Sequence, residues 1–134
     1  MSRLSTIDPT ISVANKTLDR QHLTVLNLSE LTLNLGCGDR KENFKKFNKN
    51  LYEFHLRMLD HFYTEEEILA SHGFPNIAEH IAEHNQYIER LSYLFFDASN
   101  GVIDHARLKY CLSDWLSRHL LESDMQYGEL LRRN

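Results

Sequence analysis

The sequence predicts an all-α fold, an antiparallel up-down-up-down four-helix bundle with an extended N-terminal arm. Turn segments rich in glycine, near residues 36–38, 71–75 and 99–101, divide the 134-residue chain into four long stretches. Within each stretch, apolar residues recur at steps of three and four, which is the period of an amphipathic helix. Because short connections join antiparallel neighbours, four such helices predict a bundle around one core.

The limits of each element follow from its breakers and caps. The predicted helices cover about residues 18–35, 40–71, 76–98 and 104–131. Gly73 follows the second helix, where glycine is a common stop signal. Asp104 is a candidate N-cap for the fourth helix. Residues 1–17 are expected to form the arm, because Pro9 disfavours helical geometry in the residue before it. The whole chain, 1–134, is predicted to be a single domain.

The composition excludes several classes of partner and location. The chain has 15 basic and 19 acidic residues, and the basic ones are scattered. Nucleic-acid binding needs a clustered basic surface, so no nucleic-acid partner is expected. No apolar run reaches the roughly 20 residues of a membrane span, and the first residues lack the apolar stretch of a secretory signal. A cytoplasmic protein without a membrane span is therefore predicted.

Several polar residues occupy positions on the predicted apolar faces of all four helices. Burying an imidazole or a carboxylate without a partner is energetically costly. One such residue can find a hydrogen bond, but six on inward-facing stripes need a shared partner, and a metal ion is the natural one. The six residues are His22, His61, Glu65, His80, His84 and His119.

The spacing of these residues also favours metal binding. His61 and Glu65 are four residues apart, as are His80 and His84. Residues at this spacing lie on the same helix face, one turn apart, so each pair can converge on one ion.

The fourth helix adds Asp124, five residues after His119. Five residues of regular α-helix rotate a side chain by about 500°, or roughly 140° from the starting face. For both to serve one site, the helix must be locally unwound, for example by a π-bulge, or the two side chains must reach inward from the flanks of the stripe.

This set of residues resembles the hemerythrins, in particular the bacterial ones, along nearly the whole chain. All seven ligand positions of the family pattern are filled, in order and on the expected helices. The matching segments are residues 18–22, 61–66, 79–84 and 115–124. The arm departs from the pattern, because residues 10–17 lack the aromatic residue and the glycine that related proteins often carry there.

The resemblance implies two iron ions, bridged by two carboxylates and an oxo or hydroxo group. The implied assignment is His80, His84 and His119 to the first iron, His22 and His61 to the second, and Glu65 and Asp124 as bridges. This ligand count leaves one position vacant on the second iron. The resemblance implies that dioxygen binds there reversibly, for oxygen storage, transport or delivery, and that the protein is not an enzyme.

The family also lines its oxygen pocket with apolar residues, which exclude water. The matching positions are Val25, Phe62, Trp115, Leu116 and Leu120, and residues of this type at helical spacing also serve as ordinary core. Tyr127, one turn beyond Asp124, is expected either near the site or in the core. Three further histidines, His55, His72 and His105, are expected at the surface.

Two other functions are compatible with the same residues. One is a di-iron redox enzyme, acting as an oxidase, as a peroxidase or on nitric oxide. The other is an oxygen sensor that acts through a separate partner. If the protein is a carrier, the expected partner is an oxygen-consuming client protein. Five histidines with two carboxylates differ from the carboxylate-rich sites of ferritin-like proteins, and this favours reversible binding. Imidazole and carboxylate ligands suit iron, and also zinc and manganese.

Overall fold

A computed structural model of the chain describes residues 13, 15–36 and 41–132. These residues form helices and no strands. The first three helices are α1, Lys16–Gly36, α2, Lys41–Ser71, and α3, Ile77–Ser99. Helix α1 begins two residues before its predicted start, and most of the predicted arm, residues 1–17, lies outside the described residues.

The fourth helix, residues 105–132, is continuous but changes its geometry twice. Asp104 caps it, because its Oδ1 accepts a hydrogen bond of 3.1 Å from the backbone N–H of Arg107. The successive segments are α-helical His105–Lys109, π-helical Tyr110–Asp114, α-helical Trp115–Ser123, π-helical Asp124–Gly128 and α-helical Glu129–Arg132. A π turn contains more residues than an α turn, so each one rotates the side chains that follow it.

The ends of α1 and α2 are fixed by local interactions. The side chain of Asn15 accepts a hydrogen bond of 3.0 Å from the backbone N–H of Leu18, which caps α1. Asp19 accepts another of 3.0 Å from Val13 and so ties that residue to the first turn. Gly73, just past α2, has a φ of 70°, a conformation that glycine adopts at little cost.

Helix α1 packs on α2, α2 packs on α3, and the fourth helix packs against α1 and α3. Four helices in these contacts fit a four-helix bundle. The main core contains Phe47, Leu51, Phe54, Met58, Leu91, Leu108 and Leu112. Helix α1 approaches it closely at Gly36, where a Cβ atom would lie 2.6 Å from Cδ2 of Leu108 and 2.8 Å from Cε1 of Phe47. A larger residue at this position would force these two side chains to shift.

A smaller apolar cluster closes one end of the bundle. It consists of Val13, Leu18, Leu69, Phe74, Tyr127 and Leu131. His80 contacts the rings of Phe74 and Tyr127 in this end cluster, while His84 stacks on Phe62 of the main core. The buried polar residues thus lie between the two clusters. No helix in the described ranges is both long and apolar enough to cross a membrane.

Candidate metal centre

The carboxylate of Glu65 is completely buried, and each of its two oxygens faces a different set of histidines. Oε1 faces three imidazoles, two from α3 and one from the fourth helix. Its distance to Nε2 is 2.5 Å for His80, 3.0 Å for His84 and 3.6 Å for His119. Three nitrogens from two helices therefore converge on one carboxylate oxygen.

The other oxygen, Oε2, faces the remaining two histidines. Its distance to Nε2 is 3.3 Å for His61, one turn earlier on α2, and 3.7 Å for His22 on α1. All five imidazoles are at most 5% exposed, so water does not satisfy these nitrogens in place of protein. The structure thus brings together six of the seven predicted ligands, drawn from all four helices.

The buried nitrogens lack hydrogen-bond partners suited to them. The Nε2 atoms of His22, His61, His84 and His119 make no hydrogen bond to any described protein atom. Ligand atoms within each of two groups lie within 4.8 Å of one another, and Glu65 belongs to both groups. Inward-facing nitrogens without hydrogen-bond partners, around a shared carboxylate, can bind metal, and the arrangement fits a di-iron site.

Two of the imidazoles are oriented through their second nitrogen. Nδ1 of His84 lies 2.7 Å from Oε2 of Glu66, and Nδ1 of His61 lies 3.0 Å from Oε1 of Gln21. A carboxylate or amide oxygen can only accept a hydrogen bond, so Nδ1 carries the proton in each ring. The lone pair is then left on Nε2, which points toward Glu65 and is the atom that a metal requires.

His119 has a similar partner at a greater distance. Its Nδ1 lies 3.5 Å from Oε1 of Glu83 on α3. The sequence had indicated no role for Gln21, Glu66 or Glu83. Each is adjacent in sequence to a predicted ligand, and this adjacency is the signal that could have identified them, because the outer partners of metal ligands are usually polar.

The metal-free cluster has a distinctive electrostatic state. Burial by itself would raise the pKa of Glu65, but the imidazoles around it, led by His119 and His22, hold that pKa well below its usual value. Burial lowers the pKa of His22 to about 4. Burial also acts to lower the pKa of His119, but Glu65 and Glu83 outweigh it and raise that pKa to about 9. The carboxylate is therefore ionised, and His119 carries the compensating proton.

Tyr127 is the second group that holds Glu65. Its hydroxyl donates a hydrogen bond of 2.7 Å to Oε2, and its ring is buried in the end cluster. In a regular α-helix, Tyr127 would lie roughly 80° around the axis from His119, eight residues earlier. The π turn Asp124–Gly128 lies between them and compensates for this rotation, so both side chains reach the carboxylate.

Asp124 is the seventh predicted ligand, and its side chain is outside the described part of the structure. The backbone leaves α geometry at this residue, because the π-helical segment begins there. Residues 115–123, which include His119, remain α-helical. The role of Asp124 as a ligand stays a prediction.

The five predicted pocket residues are all buried, but they stand in different relations to the cluster. The ring of Phe62 stacks on His84 with 3.7 Å between centroids, and Trp115 stacks on His119 at 4.7 Å. Val25 and Leu116 belong to the main core. Leu120 is 1% exposed on the helix that carries His119.

The remaining histidines are outside the cluster. His105 is exposed, whereas His55 and His72 are partly exposed, and none of the three belongs to either group of potential metal ligands. Nδ1 of His72 lies 2.8 Å from the carbonyl oxygen of Ile68, which accounts for its position at the end of α2.

A family model described as the hemerythrin HHE cation binding domain matches residues 13–131. The chain belongs to the hemerythrin family. The match includes every helix that contributes to the cluster.

Two curated relatives support this assignment, and both are called bacteriohemerythrin. The chain is 32% identical to the one from Stenotrophomonas maltophilia (strain R551-3) over 76 residues, which is 55% of this chain and 48% of the relative. It is 27% identical to the one from Methylococcus capsulatus (strain ATCC 33009 / NCIMB 11132 / Bath) over 116 residues, 84% of this chain and 85% of the relative. No solved structure matches the chain. This chain is thus a hemerythrin of the bacterial type.

Proposed function

We propose that this hemerythrin binds dioxygen reversibly at a non-haem di-iron centre, and that it stores, transports or delivers oxygen and is not an enzyme. The observation that carries the proposal is the division of the histidines, three at one oxygen of Glu65 and two at the other. A site dominated by neutral imidazoles stabilises oxidised iron less than a carboxylate-rich one, and this favours return to the ferrous state after oxygen leaves.

In the proposed centre, each group of histidines would hold one iron. His80, His84 and His119 would hold the first, His22 and His61 the second, with Glu65, Asp124 and an oxo or hydroxo group as bridges. When bound, the iron pair supplies the two electrons that dioxygen takes up on binding and returns on release. The smaller ligand set would leave the vacant position on the second iron.

The chain's own residues prepare this site in two ways. The oxygens of Gln21 and Glu66 fix the tautomer of their imidazoles, so that Nε2 of each faces inward. The hydroxyl of Tyr127 donates to Glu65 and thereby holds the orientation of the carboxylate. A preorganised ligand set of this kind needs little rearrangement when metal enters.

Water exclusion and access also support the proposal. Phe62 and Trp115 cover His84 and His119 with aromatic faces, which keeps that side of the cluster dry. A cleft of about 180 Å³ opens between α1 and α2, and its lining includes Gln21 and Val25. Since Gln21 contacts His61, this cleft ends close to the two-histidine group, where a small molecule is expected to bind.

A larger cleft of about 490 Å³ lies between α3 and the start of the fourth helix. No histidine of the cluster lines it. Its size therefore does not make it the better candidate for the dioxygen route.

The proposal includes the antiparallel up-down-up-down order of the bundle. Contacts at opposite ends of α1 and α2 support it, because Gln21 bonds to Thr64 at 3.2 Å while Gly36 approaches Phe47. The beginning of α1 thus lies beside the end of α2, and the end of α1 lies beside the beginning of α2. A single domain with residues 1–17 as an arm, a cytoplasmic location and an oxygen-consuming client belong to the same proposal.

The test is a series of ultraviolet-visible spectra of iron-loaded protein, taken anaerobically after reduction, then with oxygen, then under argon. A colourless form that gains ligand-to-iron charge-transfer bands with oxygen and loses them under argon is expected. Bands that decay to a diferric form that argon does not reverse would favour a redox enzyme. His61→Ala should abolish the oxygen-dependent bands, whereas the matched change of exposed His105→Ala should preserve them.

A further inference from the structure

The outer face of α2 carries a row of exposed apolar side chains. Four residues, here called the α2 stripe, recur at steps of four, three and four: Tyr52, Leu56, Leu59 and Tyr63. They are 49%, 42%, 41% and 63% exposed, respectively. At about 100° per residue they fall on one side of the helix, the pattern of a coiled-coil seam. The stripe plays no part in the metal centre.

Charged residues of opposite sign continue the stripe at its two ends. Lys49 precedes it by one turn and Lys45 by two, and both are exposed. Glu66 and Glu67 follow it. The carboxylate of Glu66 is directed toward Nδ1 of His84, whereas Glu67 is exposed. The stripe therefore has a basic end and an acidic end.

We propose that the α2 stripe is the contact surface for a second copy of this chain, bound with its α2 antiparallel. A two-fold axis between Leu56 and Leu59 would place Leu56 of each copy against Leu59 of the other, and Tyr52 against Tyr63. The same axis brings Lys49 of one copy to the height of Glu67 of the other, on the same flank of the seam. Two ion pairs then close the ends of the seam.

The charges select this occupant and this direction. A parallel pair would bring Lys49 of both copies to one height and Glu67 of both copies to another, and like charges gathered in this way oppose association. The antiparallel arrangement converts both repulsions into attractions. Because the stripe is a single helix face about three turns long, it is smaller than a standard protein interface, so the dimer should dissociate on dilution.

The test is sedimentation equilibrium of the full chain over a range of concentrations. We expect a reversible monomer–dimer equilibrium for the native sequence and monomer alone for Leu56→Glu combined with Leu59→Glu. The control is Val102→Glu, which changes an exposed apolar residue outside the α2 stripe and should leave the dimer intact. Helical circular dichroism must match the native protein. A monomer at every concentration, or a dimer that survives the double change, overturns the proposal.

Charge reversal tests the direction and keeps the proposal open to refutation if the leucine variant misfolds. Lys49→Glu and Glu67→Lys should each raise the dimer dissociation constant by roughly three- to tenfold, since each replaces two attractive contacts by repulsive ones. The two changes together should restore the native value. Failure of the double reversal to restore it would overturn the antiparallel arrangement.

Discussion

The side-chain oxygen of Gln21 on α1 lies 3.0 Å from Nδ1 of His61 on α2. Gln21 also donates a hydrogen bond of 3.2 Å from Nε2 to Oγ1 of Thr64, so its amide is held in one orientation. That orientation fixes which nitrogen of His61 faces Glu65. A residue that ligates no metal is thus positioned to control one that does.

Gln21→Leu should weaken metal binding at the two-histidine group, because His61 loses the acceptor that fixes its tautomer. Loss of such an outer partner typically costs about 10- to 100-fold in metal affinity. Competition with a chromophoric chelator, using Fe²⁺ or Zn²⁺, measures this directly. Gln86→Leu changes an exposed glutamine on α3 and should leave both affinities unchanged. An unaltered affinity in Gln21→Leu would show that the amide has no role in binding.

Glu66→Gln should weaken metal binding at the three-histidine group. The carboxylate that accepts the Nδ1 proton of His84 at 2.7 Å makes the imidazole a better donor to metal, and a neutral amide does this less well. Glu67→Gln is a matched control, because it removes the same charge from the next residue without touching a histidine of the cluster. Equal affinities in the two variants would contradict the assigned role.

Phe62→Ala should destabilise the fold and expose the cluster to water. The ring is 3% exposed and stacks on His84, and truncation of a buried phenylalanine costs roughly 3–5 kcal/mol. Chemical denaturation gives the free energy of unfolding, and the rate at which the oxygenated bands decay in the iron-loaded protein reports water entry. Phe96→Ala removes an exposed phenylalanine from α3 and should change neither quantity appreciably.

The stability of the metal-free protein should be greatest near pH 6.5. Burial lowers the pKa of His22 to about 4 from its ordinary 6.5, so the unfolded chain takes up that proton first and stability falls as pH falls between these values. The carboxylates of Glu65 and Glu83 raise the pKa of His119 to about 9 against the effect of burial, and its stabilisation, complete below pH 6.5, is lost as pH rises to 9.

Thermal melts of chelator-treated protein test this dependence. The pH range should run from 4 to 9, because these are the pKa values of His22 and His119 in the folded protein. His22→Gln should make the acid side shallower and leave the alkaline side in place. A native protein whose melting temperature rises steadily from pH 6.5 to 4 would contradict the protonation states assigned to the cluster.

Much of the architecture follows from periodicity, and much of the site follows from the cost of burying polar groups. The steps of three and four predicted four helices. The pairs His61–Glu65 and His80–His84 predicted the convergence of these four side chains. The partners of the second nitrogens could not be predicted in the same way. Gln21 and Glu66 lie on half-polar helix surfaces, and only the packing of α1 and α3 on α2 determines which ring each one reaches.

For the fourth helix, the sequence predicted only that a regular α-helix and a shared site for His119 and Asp124 are difficult to reconcile. The spacing of His119 and Asp124 required a departure from regular α geometry or an approach from two flanks. The structure has a π turn beginning at Asp124, and a second one at Tyr110–Asp114 that no residue pattern had indicated. A π turn differs from an α turn in its backbone hydrogen-bond pattern and needs no distinct local sequence. Its position is therefore determined by tertiary contacts.

The π turn Asp124–Gly128 separates the length of the fourth helix from the direction in which its side chains point. A chain with one residue more here, and the same single π turn, would remain helical and amphipathic, yet Tyr127 would swing by about 100° and lose Glu65. The number of residues between His119 and Tyr127 is therefore as much a determinant of the centre as the identity of either residue. When two hemerythrins are aligned, the position of a gap in this stretch therefore decides which side chain is predicted to face the carboxylate.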